Sequence, residues 1–260
     1  MNKVTKISYC AFIYAFLYIP IIILVIYSFN NAEYSLVWHG FTLEWYRHLW
    51  QDNDLQLVTM HSLAVGVLAA STATLLGTIA AVSLYRYQFF GKKILHSLLF
   101  ILIVSPDIVM AISLLILFSA LKINLGFWTL LLSHITFCLP FVAVTVYGRL
   151  IGFDKNIFEA ARDLGAHDFT IFRKIIVPLL WPAIIAGWLL SFTLSLDDVI
   201  ISFFVTGPEY NILPLQIFSM VRLGVKPEIN ALCTVLFVIT LFIVCVSQLA
   251  LSKNKRGVNA

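Results

Sequence analysis

Three carboxylates, Asp107, Asp197 and Asp198, stand inside long apolar stretches of this 260-residue chain. An ionised carboxylate in hydrocarbon is costly, so each marks either a route for a cation or an internal contact. The pattern is most specific around Asp198. Ser191, Ser195, Asp198 and Ser202 follow at i, i+4, i+7 and i+11, which puts them on one face of an α-helix. Asp197 is turned roughly 100° from that face and lies nearer Leu190, Thr193 and Leu194, which predicts a separate role for it. The chemistry expected of the stripe is weak, reversible cation binding along a passage, because a site that holds too tightly traps its cargo. Asp198 is the principal candidate and Asp107 contributes deeper in, with Ser191, Ser195, Ser202 and Asp197 as further candidates. The competing reading, for each carboxylate, is a bond to a neighbouring helix, a packed histidine or a backbone carbonyl. The four cysteines (Cys10, Cys138, Cys233, Cys245) have no metal-ligand spacing, so no metal site is expected.

A second constellation occupies residues 151–177, where charges alternate with apolar side chains. Ile157, Phe158, Ala161 and Leu164 recur at helical spacing, with Glu159, Arg162 and Asp163 on other faces. Gly165 is placed to end this short helix in a left-handed conformation. A second helix is expected near Asp168, with the Asp168 side chain as its cap and Phe169, Phe172 and Ile176 as its apolar side. Pro178 then marks the entry to the next apolar run, where a missing N–H is tolerated. Two short helices around a glycine form a knob suited to a pocket on a soluble protein. The alternative, a helix lying on lipid headgroups, fits less well, because its polar face should be predominantly basic.

The elements that position these residues follow from composition. The chain is 61% hydrophobic and 12% charged, whereas soluble domains carry about 25% charged residues. Six apolar runs reach spanning length, at 7–29, 61–85, 94–121, 127–150, 179–205 and 229–251. They are expected to be helices, since backbone groups in lipid need internal partners. Pro106, just before Asp107, is expected to kink the third run near its centre. The first run is longer than a usual signal-peptide core and lacks a small-residue cleavage site, so it reads as a span. With the N-terminus inside, the cytoplasmic side holds thirteen of the seventeen basic residues, leaving Arg47, Lys122, Arg222 and Lys226 outside. The positive-inside rule prefers that orientation, with both termini cytoplasmic. The outer segment 30–60 carries Glu33, Glu44, Asp52 and Asp54, and Trp38, Trp45, Tyr46 and Trp50 are candidate interface anchors. Basic residues cluster at the ends of runs rather than in a stripe, which argues against nucleic acid. No G-x-x-x-x-G-K-S/T phosphate loop is present, so any nucleotide chemistry belongs to another chain.

Glu159-Ala160-Ala161, three residues, Gly165, nine residues, then Ile175-Ile176-Val177-Pro178 resembles the EAA loop of ABC-importer membrane subunits, with Val177 where leucine is commoner. Further segments, including Ser105-Pro106-Asp107-Ile108-Val109-Met110-Ala111 and Thr193-Leu194-Ser195-Leu196-Asp197-Asp198, resemble the PotC-type permeases of spermidine/putrescine importers. The resemblance implies an all-α, type I importer permease fold with six spans in a bacterial inner membrane. It implies that Glu159, Ala160, Ala161, Asp163, Gly165, Asp168 and Pro178 couple the spans to a cytoplasmic ATPase and catalyse nothing. It also implies the partners: a homologous second permease, two copies of the ATPase, which would use ATP and Mg2+, a periplasmic polyamine-binding protein, and a polyamine substrate. Another small solute remains open as cargo. A secondary transporter, driven by an ion gradient, is a rival that a nucleotide requirement would exclude; a channel or purely structural component would leave the docking loop unexplained.

Overall fold

The structure is a computed structural model that describes residues 3–32, 37–154, 156–223 and 227–256. Glu33, Lys155 and Lys226, which entered the charge reading above, lie outside the described residues. In chain order the helices are α1 (Lys3–Tyr27), α2 (Glu44–Gln51), α3 (Asn53–Arg86), α4 (Lys92–Val104), α5 (Asp107–Ala120), α6 (Phe127–Ile151), α7 (Asn156–Asp163) and α8 (Asp168–Ile171), followed by a π-helical segment (Phe172–Ile176), α9 (Val177–Asp197), α10 (Ile200–Val205), α11 (Leu213–Leu223) and α12 (Pro227–Arg256). Among the described residues there is no strand, only one isolated bridge between Asn30 and Phe41.

Four described helices are long and apolar enough to cross a bilayer: Ile7–Tyr27, Asn53–Arg86, Phe127–Ile151 and the continuous stretch Asp168–Asp197. The pair α4 and α5 supplies a fifth crossing if it is one broken span. The sixth interval falls within α12, whose described apolar part is Pro227–Phe242.

Two of the expected continuous runs are interrupted. At 94–121 the predicted kink is a full break, with α4 and α5 bent by 115°. Ser105 is extended at φ −65°, ψ 135°, as the ring of Pro106 demands of the residue before it. Asp107 therefore opens α5 and is exposed, instead of lying mid-helix. There its charge suits the positive end of the helix dipole. At 179–205 the helix stops at Asp197 and restarts at Ile200.

The chain divides into two compact units, Met1–Leu57 with Gln216–Ala260, and Val58–Leu215. In the first, α12 packs on α1 and α2. The turn after α1 is tied by the Asn30 carboxamide, which accepts from His39 N at 2.7 Å and donates to Val37 O at 2.9 Å. Trp45 Nε1 donates to Asn30 O, and Tyr46 shares a hydrogen bond with Ser28, so these two expected anchors are held by the protein itself. Trp50 stays 83% exposed.

In the second unit α6 and α9 form the central pair, and α10 packs against α5 and α6. Small residues set the approach of α3. Ala69, Ala70 and Ala73 are fully buried, and a Cβ on Gly77 would come 2.8 Å from Val142 Cβ on α6. In lipid, close helix contact of this kind replaces hydrophobic expulsion as the source of association. The N-terminus of α6 is pinned to the end of α10 by the Thr129 hydroxyl, which donates to Val205 O at 2.8 Å.

Candidate functional site

The residues singled out in the sequence assemble into two sites within the second unit. The first is the knob. Its helix α7 ends at Asp163, and Gly165 adopts φ +78°. Gly165 N donates to Arg162 O at 2.8 Å and Ala166 N to Ala161 O at 3.1 Å. This paired 5→2 and 6→1 arrangement reverses the chain and satisfies the last carbonyls of the helix. Ala161, Ile171 and Ile176 are buried and root the knob in the core, whereas Glu159, Ala160, Asp163 and Pro178 are exposed. At its tip, Leu164 is 88% and Phe169 71% exposed, so an apolar edge flanked by acids faces outward.

The second helix of the knob is not a separate piece. It continues through the π-helical segment into α9 without a break. Val177 N donates to Phe172 O, five residues back. The wider turn accommodates the start of a helix that holds both Pro178 and Pro182, neither of which has an N–H to give. The knob is thus continuous with the apolar stretch through one unbroken helical rod. Asp168, Arg173 and Lys174 make its first turns polar and exposed, ahead of the interval 179–205 read from the sequence as the span.

Asp168 does not cap α8 as expected. His167 occupies the capping position without a side-chain bond, and the carboxylate is taken by stronger partners. Its Oδ1 lies 2.5 Å from Arg86 Nη2 at the end of α3 and 3.3 Å from Arg162 Nη2 on α7. Its Oδ2 accepts from the Tyr87 hydroxyl at 3.3 Å. Desolvation opposes ionisation here, but the Arg162 hydrogen bond and the charges of Arg86 and Arg162 outweigh it and hold the carboxyl below its ordinary pKa. Arg86 and Tyr87 had no local signal in the sequence, since their partner is more than 80 residues away.

The second site is the polar stripe, and it is turned inward. Asp198 leaves the helix at ψ 119°. Its Oδ1 accepts from Ile201 N at 3.1 Å, and its Oδ2 accepts from Ser202 N at 2.8 Å and Ser202 Oγ at 2.7 Å. The carboxylate thus caps α10, which explains the break. Behind it lies His134 of α6, fully buried, with Nδ1 2.6 Å from Ser195 Oγ and Nε2 3.0 Å from Ser202 Oγ. Asp198 Oδ2 is 3.4 Å from the same Nε2. Each ring nitrogen of His134 thus faces a serine hydroxyl, and Ser202 Oγ donates onward to Asp198 Oδ2, so one hydrogen-bonded network joins α6, α9 and α10. Ser191 is buried beside the network, and its hydroxyl has no partner among the described residues. Asp107 and Asp197 are not brought to this cluster, and both are exposed. A packed histidine, one of the partners the competing reading named, does stand beside Asp198. A lone histidine inside an apolar run was the available signal, because a buried imidazole needs partners.

Over residues 73–256 the chain matches the family described as the binding-protein-dependent transport system inner membrane component. It is 58% identical over 245 residues to the spermidine/putrescine transport system permease protein PotC of Escherichia coli (strain K12), covering 94% of this chain and 93% of that protein. It is 45% identical over 231 residues to the putrescine transport system permease protein PotI of the same strain, covering 86% and 82%. Among solved structures, a bacterial ABC transporter that imports the acidic polysaccharide alginate superposes with a TM-score of 0.77 at 16% identity, covering 94% of each chain. The inward-facing methionine ABC transporter MetNI gives a TM-score of 0.62 at 16% identity, covering 80% of this chain and 99% of that one. At such identities the structural likeness speaks for the fold alone. Sequence and fold together make the chain a member of the binding-protein-dependent transport system inner membrane component family, a multi-pass protein of the cytoplasmic membrane built on the ABC-importer permease fold.

Proposed function

We propose that the chain is one of two permease subunits of an ATP-driven importer that moves spermidine, putrescine or both from an external binding protein into the cytoplasm by alternating access. The observation that carries the cargo class is its 58% identity, along nearly the whole length, to a spermidine/putrescine permease. The knob supports the mode of energy supply: an exposed apolar tip formed by Leu164 and Phe169, beside Glu159, Ala160 and Asp163, suits a cleft on a soluble subunit.

In this reading the six intervals are spans with both termini inside, and the knob faces the cytoplasm. Two copies of an ATPase use ATP and Mg2+, and a homologous permease completes the passage. Glu159, Ala160, Asp163 and Leu164 make the docking edge. Ala161, Gly165, Asp168 and Pro178 hold its shape and join it to the spans. ATP binding favours one packing of the permease pair and hydrolysis resets it, so each step biases a two-state bundle.

For the passage, exposure favours Asp107 and Asp197 as the carboxylates open to ammonium groups. Asp198 and its serines organise the helix break that directly follows Asp197. A polyamine carries separated charges, and spaced weak contacts release it more readily than one deep site. Reconstitution of the full complex tests the proposal. ATP-dependent uptake of polyamines in preference to amino acids and sugars is the expected result. Uptake driven by an ion gradient without nucleotide, or selectivity for another solute class, overturns it.

A further inference from the structure

Between the end of α3 and the start of α4 lies an open depression of about 810 Å³, most of whose lining side chains are exposed. Leu84, Phe89 and Ile94 form its apolar side, while Lys92, Lys93 and His96 form its polar side. None of the lining residues is acidic. The nearby carboxylate, Asp168, is already engaged by Arg86, Arg162 and Tyr87. The function proposed above makes no use of this cavity.

Its shape is fixed by the turn. Gly91 at φ +89° starts α4 with no side-chain cap, which leaves the positive end of a thirteen-residue helix at the cavity edge. Lys92 Nζ donates to Tyr87 O at 3.0 Å, holding one ammonium at the rim. His96 stands edge-on to Tyr147, with ring centroids 6.4 Å apart. Phe90 projects with no protein cover at all. An uncovered aromatic beside two lysines, where two apolar helices meet a charged turn, has the composition of a membrane–water boundary.

Two features select the ligand chemistry. Positive charge without an acid calls for an anion, and the apolar wall calls for hydrocarbon attached to it. A volume within the range of about 300–1,000 Å³ typical of organic ligands far exceeds what an isolated phosphate needs. Basic pockets between spans on the cytoplasmic side are suited to anionic lipid headgroups. We propose that this cavity is a binding site for an anionic phospholipid, with its phosphate at Lys92 and Lys93 and its upper acyl chain along Leu84, Phe89 and Ile94. The assignment to the cytoplasmic leaflet rests on the orientation given under the proposed function. The preference for an anionic lipid rests on the cavity alone.

The test is lipid titration of the detergent-solubilised importer complex by native mass spectrometry, which does not depend on orientation or cargo. Phosphatidylglycerol is expected to bind in preference to phosphatidylcholine. In Lys92→Gln with Lys93→Gln that preference is expected to fall about thirtyfold, the scale set by two surface lysines. Ser97→Trp, which fills the cavity without changing charge, is expected to reduce binding of phosphatidylglycerol while leaving the complex assembled. Millimolar inorganic phosphate is expected to leave the bound lipid in place. Equal binding of both lipids, or phosphatidylglycerol retained in both variants, overturns the proposal. Displacement by phosphate would make this a site for the free anion. Loss of the ATPase from the lysine variant with lipid retained would make the face a protein contact. Either of those results also overturns it.

Discussion

The Asp168 carboxylate at the head of α8 meets the Arg86 guanidinium at the end of α3, Oδ1 to Nη2 at 2.5 Å, across 82 residues of chain. Arg86 is the nearly covered partner, with 10% of its side chain exposed against 48% for Asp168. The contact joins the knob to a second span besides the one it continues into. Under the proposed coupling role, force arriving at the knob would be shared between α3 and α9. A planar guanidinium suits this shared contact better than a mobile ammonium.

Breaking that tie should uncouple the subunit more than it unfolds it. Arg86→Gln and Asp168→Asn are each expected to lower ATP-driven uptake several-fold while the complex still assembles, because the Asp168 end of the pair is half-exposed and water screens what either change leaves behind. Exchanging the charges, Arg86→Asp with Asp168→Arg, is expected to recover part of the loss. Uptake in proteoliposomes, normalised to the amount of assembled complex, measures this. Wild-type rates in both single variants would remove the pair from the coupling route.

The same pair should be indifferent to pH near neutrality. The folded-state pKa of Asp168 is depressed. Its contribution is therefore complete above the ordinary carboxylate value and is lost only as pH falls through the lower, folded value. Across about pH 5 to 8 the carboxylate stays charged, so the ratio of Asp168→Asn to wild-type uptake should be flat. A ratio that rises towards one on acidification within this range would mean that the carboxylate protonates far more readily than its partners allow.

Much of the fold was legible because lipid imposes a simple rule: long apolar runs become helices, and the runs at 61–85 and 127–150 lie within α3 and α6. The knob was legible for an equally local reason, since a left-handed residue after a short helix favours glycine, and Gly165 supplies it. The two breaks differ in this respect. Pro106 carried a signal for the first, as a residue before proline is driven to extended backbone. The second has no glycine or proline at 198–199 and depends on a carboxylate cap supported by His134 from another helix. Helical periodicity grouped Ser191, Ser195, Asp198 and Ser202 on one face expected to line a passage; all four are buried, and the helix breaks within the group. Burial against α6 and exposure to a passage look alike in that pattern, because both point away from lipid.

Gly165 offers a sharper test of the knob than its charges do. A Cβ there meets nothing within 4 Å, so a substitution acts through backbone conformation alone. A non-glycine residue in the left-handed region costs roughly 1–2 kcal/mol, with asparagine among the better tolerated. Gly165→Ala is expected to reduce ATPase retention and uptake, and Gly165→Asn to do so less. Co-purification of the ATPase with each variant is the readout. Equal, wild-type retention in both would show that the turn does not govern docking.

The inward-turned network separates the three carboxylates by their expected phenotypes. Asp198 answers two backbone N–H groups and a hydroxyl in a buried site. Asp198→Asn puts an amide where two acceptor oxygens are required, and His134→Ala leaves Ser195 and Ser202 without their ring partner. Each unsatisfied buried group costs on the order of 1–3 kcal/mol, so both variants should unfold at lower temperature in detergent and accumulate less in the membrane. The surviving complex should keep an unaltered KM for polyamine. Asp107→Asn and Asp197→Asn remove exposed charges with no described partner to strand, so they should raise KM and leave thermal stability near wild type. A raised KM with normal stability in Asp198→Asn would instead place that carboxylate on the cargo's route, in a state of the bundle where α10 has moved away from His134.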